Sequence, residues 1–140
     1  MQTYTFRLKP HQDLFDSIEE FVRAREIQAG CVLSSVGSLT HATLRLANRS
    51  TYTEYEGPFE IVSLTGTVSV HGSHLHISFS DGDGKTTGGH LVSGCKIYTT
   101  AEMVIAVIED VVYKREFAED SGYEELVVYP HPQSLDTDLR

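Results

Sequence analysis

The feature that most constrains the fold of this chain is a single helical pattern followed only by strand patterns. Apolar residues recur at spacings of three and four between residues 13 and 28, which predicts an amphipathic helix with Asp13 as its N-cap and Gly30 as its stop. Before the helix, residues 2–8 alternate in polarity with period two, as in a half-buried strand. A doubly wound parallel sheet needs a helix between successive strands, so this pattern argues against that architecture.

Strand patterns fill the chain after Gly30. Apolar and β-branched runs predict strands at residues 31–36, 40–47, 59–70, 74–80, 89–98, 102–113 and 125–129. Gly66 predicts a kink or bulge in its strand, and the Asp-Gly-Asp-Gly run at residues 81–84 is the strongest turn signal. The expected fold class is α+β, a mostly antiparallel, barrel-like β-sheet with one main N-terminal α-helix. A single domain is expected over residues 1–130, with a polar C-terminal tail at residues 131–140.

Composition and charge narrow the class of protein. Hydrophobic residues make up 40% of the chain, and the apolar run at residues 103–108 is far too short to span a bilayer, so no membrane partner is expected. Two cysteines outside any C-x-x-C motif, and an N-terminus without a leader pattern, favour the cytoplasm. The net charge of −9 repels a phosphate backbone unless a local basic patch overcomes it.

Three of the seven histidines form the most informative pattern. His74 and His76 lie two apart in a predicted strand, so both side chains point to one face, roughly 7 Å apart. A hairpin centred on Asp83 places His90 opposite His76 and diagonal to His74, at distances of about 5 Å and about 7–8 Å. Three imidazoles with an open fourth position are the protein half of a catalytic-type zinc site. The alternative is three solvent-exposed strand histidines, and a one-residue slip would turn His90 to the other face.

The other titratable residues form weaker patterns. Glu60 lies on an apolar strand face and Glu102 opens an apolar strand, so each is a candidate general base, with a glutamate that reaches water as the alternative. Four further histidines have no comparable partner and are interpreted as surface residues: His11, His41, His71 and His131.

These motifs, in this order, resemble a known family over essentially the whole chain. The similarity to the plants-and-prokaryotes-conserved (PPC) domain lies in the segment GPFEIVSLTG at residues 57–66, the His74-Leu75-His76 motif, Asp81-Gly82, Gly88-Gly89-His90-Leu91 and the segment TTAEMVI at residues 99–105. In plants this domain follows AT-hooks in nuclear-localised DNA-binding proteins, whereas prokaryotic members are usually the domain alone.

The resemblance implies an α+β fold that assembles into a homotrimer and a description as a DNA-binding protein. It also implies that His74, His76 and His90 hold zinc or a similar divalent metal. The plant motif has Arg where this chain has Pro58, so the partner contacts of that Arg do not transfer. No Arg-Gly-Arg-Pro sequence occurs here, so the AT-hook, which reads the minor groove, is missing from this chain.

Three functions from different classes are open at this point. The first is a trimeric, metal-binding regulatory module that contacts DNA only weakly or through partners and takes a small ligand at the open metal position. The second is an enzyme in which the metal activates water and Glu60 or Glu102 is the general base. The third is direct DNA binding by a composite trimer surface. That surface needs a contiguous basic patch built from Arg45, Arg49, Lys85 and Lys96.

Metal ligation by histidine also predicts a pH dependence. Only the neutral imidazole is a ligand, so metal binding is expected to fall as the pH drops through about 6.5, the unperturbed pKa of histidine. The residues themselves also favour a homotrimer, because a strand at residues 103–108 is apolar on both faces and needs cover on both sides.

Overall fold

The computed structural model describes residues 1–134 of the 140-residue chain. The elements in chain order are β1 (Gln2–Leu8), α1 (Leu14–Ala24), β2 (Gly30–Arg45), β3 (Tyr52–Val68), β4 (His74–Ser80), β5 (Thr86–Leu91), β6 (Lys96–Val107), β7 (Val111–Ala118) and β8 (Tyr123–Pro130). A short 3-10 turn follows at Pro132–Ser134. Residues 135–140 of the predicted polar tail lie outside the described residues.

Helix α1 begins where the sequence predicts and ends earlier. The Asp13 side chain accepts a hydrogen bond from the backbone N–H of Asp16 at 2.9 Å, which makes Asp13 the N-cap. The helix ends at Ala24, because Glu26 adopts a left-handed conformation (φ 52°) and turns the chain before Gly30, which begins β2. The helix has 11 residues, and no helix within residues 1–134 is long and apolar enough to cross a membrane.

The strands form an open, antiparallel sheet, which confirms the α+β class. Six strands lie in the order β1-β6-β2-β3-β4-β5, and β7 and β8 form a separate two-stranded sheet. Strand β5 also pairs with the end of β2, but only through the pairs Leu44–Leu91 and Arg45–His90. Strand β1 pairs with β6 on one side and is an edge on the other. The sheet is therefore not a closed barrel, and the barrel-like expectation is wrong because β1 has no second partner among the described strands.

The core lies between α1 and the inward face of the sheet. Leu14, Ile18 and Val22 of the helix are buried, as the spacing of its apolar residues requires. They belong to the same core cluster as Leu75 and Ile77 of β4. Strand β4 is therefore held by the main core of the protein, and the side chains on its other face have a rigid support.

Several strand boundaries differ from the sequence expectation. The two strands predicted over residues 31–47 are one strand, β2, whose irregular pattern is absorbed by register shifts against β3 and β6. Strand β3 begins at Tyr52, earlier than predicted. The two strands predicted over residues 89–98 and 102–113 fall on three observed strands, β5, β6 and β7. Their limits were misplaced because apolar residues continue through the turns before β6 and β7.

Candidate metal site and the adjoining cavity

The β4–β5 hairpin has the register that the sequence predicts. His76 lies opposite His90, and the pairing continues to Ser80 opposite Thr86. The turn is closed by Asp81, whose Oδ1 accepts backbone N–H hydrogen bonds from Asp83 and Lys85, each at 2.9 Å. A side chain that satisfies two turn amides leaves the strands one way to pair, so the position of His90 follows from the turn.

Alternation along β4 directs two of the histidines outward. Leu75 and Ile77 are 1% and 3% exposed, so His74 and His76 lie on the opposite, exposed face. Gly66 lies opposite Leu75 on the neighbouring strand and has a φ of 144°. A Cβ at this position would lie 1.9 Å from the His74 carbonyl oxygen, so glycine is required for β3 to approach β4 here. The kink or bulge predicted at Gly66 corresponds to its positive φ. The register shift between β3 and β4 lies elsewhere, next to Ile61.

The three imidazoles converge as predicted. The Nε2 atoms of His74 and His76 are 3.1 Å apart, and one ligand nitrogen from each of the three residues lies within 4.8 Å of the others. The ring centroids of His90 lie 5.2 Å from His74 and 5.7 Å from His76. Tetrahedral zinc with Zn–N distances of about 2.0–2.1 Å sets ligand nitrogens about 3.4 Å apart, which is close to the 3.1 Å between the Nε2 atoms of His74 and His76.

The chemistry of the cluster fits a divalent metal. His90 has a buried Nδ1 with no hydrogen-bond partner among residues 1–134. Burial lowers the pKa of His90 to about 4, with further lowering by Arg45 and by His74 and His76. Burial also lowers the pKa of His74, assisted by His76 and Arg115 and opposed by Glu125. Both shifts keep the imidazole in its neutral, ligating form below pH 6.5.

A cavity of about 790 Å³ adjoins the histidines. Its basic residues come from three separate places, namely Arg45 at the end of β2, Arg49 in the β2–β3 loop and Arg115 on β7. The other residues that line it are Asn48, Ser50, Ser73, His74, His90, Tyr123, Glu124 and Glu125. The histidine cluster and an arginine-bearing cavity thus adjoin each other through His74 and His90.

The structure does not bring the two predicted glutamates to the histidines. Glu60 is exposed and lies opposite Ser80, at the far end of β4, which a strand rise of about 3.3 Å per residue places roughly 13 Å from His76. Glu102 is exposed on β6, which does not neighbour β4 or β5 in the sheet. The carboxylate beside the cluster is Glu125 on β8, which lines the cavity with His74.

The predicted basic patch is divided. Arg45 and Arg49 line the cavity, but the ammonium of Lys96 lies 3.8 Å from the Asp13 carboxylate. Lys85 lies in the β4–β5 turn, at the opposite end of the hairpin from His76 and His90.

Arg115 and Glu125 are the residues of the candidate site that the sequence did not predict. They reach the site because the β7–β8 hairpin docks on β3, where Arg115 Nη2 donates to Thr67 Oγ1 at 2.8 Å. The backbone N–H of Tyr113 also donates to the Gln28 carbonyl at 2.9 Å. In the sequence, the adjacent pair Lys114-Arg115 is the only basic signal in this region. No periodic pattern predicts that the region lies near the histidines.

The other four histidines lie elsewhere, and among residues 1–134 the only group of three or more candidate ligands is the cluster already described. His11, His41 and His71 are exposed, in agreement with the surface interpretation. His131 is half-buried, and its Nδ1 accepts a hydrogen bond from the backbone N–H of Gln133 at 3.2 Å.

Comparisons with known proteins place this geometry in context. A family model described as the Plants and Prokaryotes Conserved (PCC) domain, also abbreviated PPC, matches residues 1–109. The chain is 42% identical to the bifunctional protein GlmU of a Synechococcus strain over 97% of its own length and 23% of that protein. It is 33% identical to AT-hook motif nuclear-localized protein 13 of Arabidopsis thaliana, over 67% of the chain and 25% of the relative. The chain therefore spans about a quarter of the length of these curated relatives.

Solved structures share the fold over nearly the whole chain. A hypothetical protein from Salmonella enterica is 36% identical, with a TM-score of 0.91 and coverage of 93% of this chain and 94% of that one. A protein from Archaeoglobus fulgidus described as metal-containing is 27% identical, with a TM-score of 0.75 and coverage of 91% and 94%. The matched family segment ends at residue 109, so the β7–β8 hairpin that supplies Arg115 and Glu125 lies beyond it.

Proposed function

Since the chain belongs to the Plants and Prokaryotes Conserved domain family, we propose that it is a metal-binding module that holds one zinc-like divalent ion through His74, His76 and His90. The fourth coordination position is open to water or a small ligand. The metal-containing protein of Archaeoglobus fulgidus, which has the same fold, supports this proposal.

The observation that carries the proposal is the convergence of three imidazoles. Their ligand nitrogens lie within 4.8 Å of one another, and the group contains no carboxylate or thiol. Imidazole ligands suit zinc, copper, nickel and iron(II), and zinc tolerates a three-histidine tetrahedral site, so zinc is the first choice. When bound, such an ion supplies a Lewis acid with one exchangeable position.

Elemental analysis of the purified protein tests this proposal. The wild-type chain is expected to carry about one zinc-like ion per chain, and His90→Ala is expected to lose it. His41→Ala is the matched control, because His41 is exposed and its imidazole Nδ1 lies 3.0 Å from the neighbouring Thr40 hydroxyl, away from the cluster. Wild-type protein that remains metal-free after incubation with zinc and gel filtration would overturn the proposal.

We propose further that the chain assembles as a homotrimer. The run at residues 103–108 is already covered in part by its own chain, since Met103, Ile105 and Ala106 are 0% exposed. Support comes instead from an apolar patch on β2 and β3, where Leu33, Val36 and Val62 are between 53% and 56% exposed. Light scattering is expected to give three times the 15.6 kDa mass of one chain. A 15.6 kDa particle at micromolar concentration would contradict the trimer.

We propose that this chain alone has a weak affinity for DNA, and that it acts on DNA only through partner proteins. The net charge of −9 gives a trimer a charge of −27, three times that of one chain. Lys85 and Lys96 do not line the cavity with Arg45 and Arg49, so within the described residues these four side chains do not form one basic patch. Nanomolar binding to duplex DNA at physiological salt would contradict this part of the proposal.

We propose a reducing compartment such as the cytoplasm for this chain. Cys31 and Cys95 are both free thiols. Burial raises the pKa of the Cys95 thiol to about 11, so this thiol is inert at neutral pH. A pair of unlinked cysteines is typical of proteins from reducing compartments.

A second candidate function is a metal-dependent enzyme, favoured by the position of Glu125. This carboxylate lines the cavity with His74 and also a smaller cavity with His76. It occupies the role that sequence reasoning gave to Glu60 or Glu102, a base that accepts a proton near the open metal position. If the chain is an enzyme, Glu125→Gln is expected to abolish turnover while it leaves the metal content unchanged.

A further inference from the structure

We propose that the cavity beside the histidines binds a small oxyanion, a carboxylate or phosphate compound, whose anionic group is held by Arg45, Arg49 and Arg115. The part of the inference that places the other end of the ligand at the metal rests on the proposed function. The contacts to the three arginines are inferred from the residues that line the cavity and do not depend on the metal.

The three arginines reach the cavity from two parts of the chain that are far apart in sequence. Arg45 lies opposite His90 in the short β2–β5 ladder, and Arg49 follows it in the next loop. Arg115 comes from β7 and is held by its hydrogen bond to Thr67. The cavity volume of about 790 Å³ lies in the range of small-molecule sites, about 300–1,000 Å³.

The positive charge in the cavity is not neutralised by salt bridges. Within the described part of the chain, the two salt bridges join Met1 to Glu109 and Lys96 to Asp13, so no arginine takes part in one. Glu124 and Glu125 also line the cavity, and they reduce its charge without cancelling the three guanidinium groups. The cavity is therefore locally positive in a chain whose net charge is −9, as a site for an anion requires.

The donors in the cavity suit an oxyanion. Each guanidinium presents several N–H donors in a planar fork that matches a carboxylate or phosphate. In Arg115, Nη2 donates to Thr67 and the other nitrogens remain as donors for an anion. The side chains of Asn48, Ser50 and Ser73 line the same cavity and add neutral hydrogen-bonding groups. A cavity with these donors encloses a small anion better than it follows the extended backbone of a nucleic acid.

Isothermal titration calorimetry with the full chain tests the proposal. Zinc-loaded and zinc-free protein are each titrated with inorganic phosphate, with succinate and with a short DNA duplex. We expect phosphate or succinate to bind, and Arg45→Gln and Arg115→Gln each to weaken that binding by about tenfold or more. Arg23→Gln is the matched control, because Arg23 is exposed on α1 and away from the cavity, and it is expected to bind as wild type.

Two further variants separate charge from folding. Thr67→Val removes the hydrogen bond to Arg115 but keeps all three charges, so it is expected to weaken anion binding less than Arg115→Gln does. Arg115→Lys keeps the charge and loses the planar fork, so an intermediate loss of affinity is expected. Anion binding that is unchanged in Arg45→Gln, Arg115→Gln and Arg115→Lys alike would overturn the proposal.

Zinc content measured on the same samples distinguishes failure of this inference from failure of the metal proposal. Arginine-dependent binding of phosphate or succinate to a protein that takes up no zinc even after incubation with zinc supports the anion site and contradicts the metal site. Zinc held by a protein that binds neither small anion overturns the inference and leaves the metal site standing. Arginine-dependent binding of the DNA duplex that is tighter than that of either small anion also overturns it.

Discussion

The two hairpins that build the site differ in how their residues come to it. In the β4–β5 hairpin, the histidines are set by alternation and by the Asp81 turn, within a single stretch of chain. In the β7–β8 hairpin, Arg115 and Glu125 line the same cavity only because the hairpin docks on β3. The first hairpin lies inside the segment matched by the family model and the second lies outside it.

This difference suggests a division of labour within the proposed function. Metal donors must be placed to within tenths of an ångström, and a short antiparallel ladder does this with few degrees of freedom. A residue that selects a ligand by its charge needs a less precise position, because charge acts over a longer distance. Such a residue can therefore come from a distant hairpin. The proposed function therefore predicts that metal affinity depends on β4–β5, and that Arg115 of β7–β8 contributes to ligand selectivity beside Arg45 and Arg49.

The sharpest test of this division compares one residue from each hairpin. His76→Ala removes a ligand and is expected to lower zinc affinity by about a thousandfold, measured by competition with a chelating dye. Arg115→Gln removes a positive charge beside the cluster and is expected to raise zinc affinity by less than about tenfold. A loss of zinc in Arg115→Gln as large as that in His76→Ala would break the division.

A second test concerns the close approach of β3 to the first hairpin. Gly66→Ala places a Cβ against the His74 carbonyl oxygen and forces an L residue into a φ of 144°, so we expect a loss of about 3 kcal/mol in the free energy of unfolding. Gly82→Ala is the control, since a Cβ there meets nothing within 4 Å. Urea unfolding of both variants measures the difference, and equal stability would contradict the role given to Gly66.

A third test concerns the turn that sets the register of β4–β5. Asp81→Ala leaves two turn amides without their acceptor and is expected to cost about 1–2 kcal/mol of stability and to weaken zinc binding. The side chain of Asp83, in the same turn, makes no hydrogen bond to residues 1–134, so Asp83→Ala is expected to stay near wild type in thermal unfolding. Greater damage from Asp83→Ala would mean that charge, and not the turn, governs this segment.

The smallest expected effect is a pH dependence of the zinc-free protein. His90 has a pKa of about 4 in the folded state against an ordinary 6.5, so between these values the unfolded chain binds a proton that the folded chain does not. Stability is therefore expected to fall as the pH drops from about 6.5 to about 4. His90→Gln should flatten this part of the profile, and His41→Gln should leave it unchanged. Melting temperatures recorded in the presence of a chelator provide the measurement.

Much of the fold and of the histidine cluster could be predicted because the signals are local. The period of the apolar residues marks α1, and Asp13 caps it as expected. Alternation in β4 and the turn at residues 81–85 determine which face His74, His76 and His90 share. The helix end was misjudged because Ile27, which is 3% exposed, continues the apolar spacing after the left-handed Glu26 has already turned the chain.

By itself, the sequence determined the α+β class, the antiparallel β4–β5 pairing and the shared face of His74, His76 and His90, since these depend on the periodicity of single elements and on residues within about one hairpin of each other. Only the tertiary structure decided that the sheet stays open, that Arg45 lies opposite His90, and that Arg115 and Glu125 complete the cavity. The contact between Arg115 and Thr67 joins residues 48 positions apart. Such a contact depends on how whole elements pack, and packing between distant elements leaves no periodic trace in the amino-acid order.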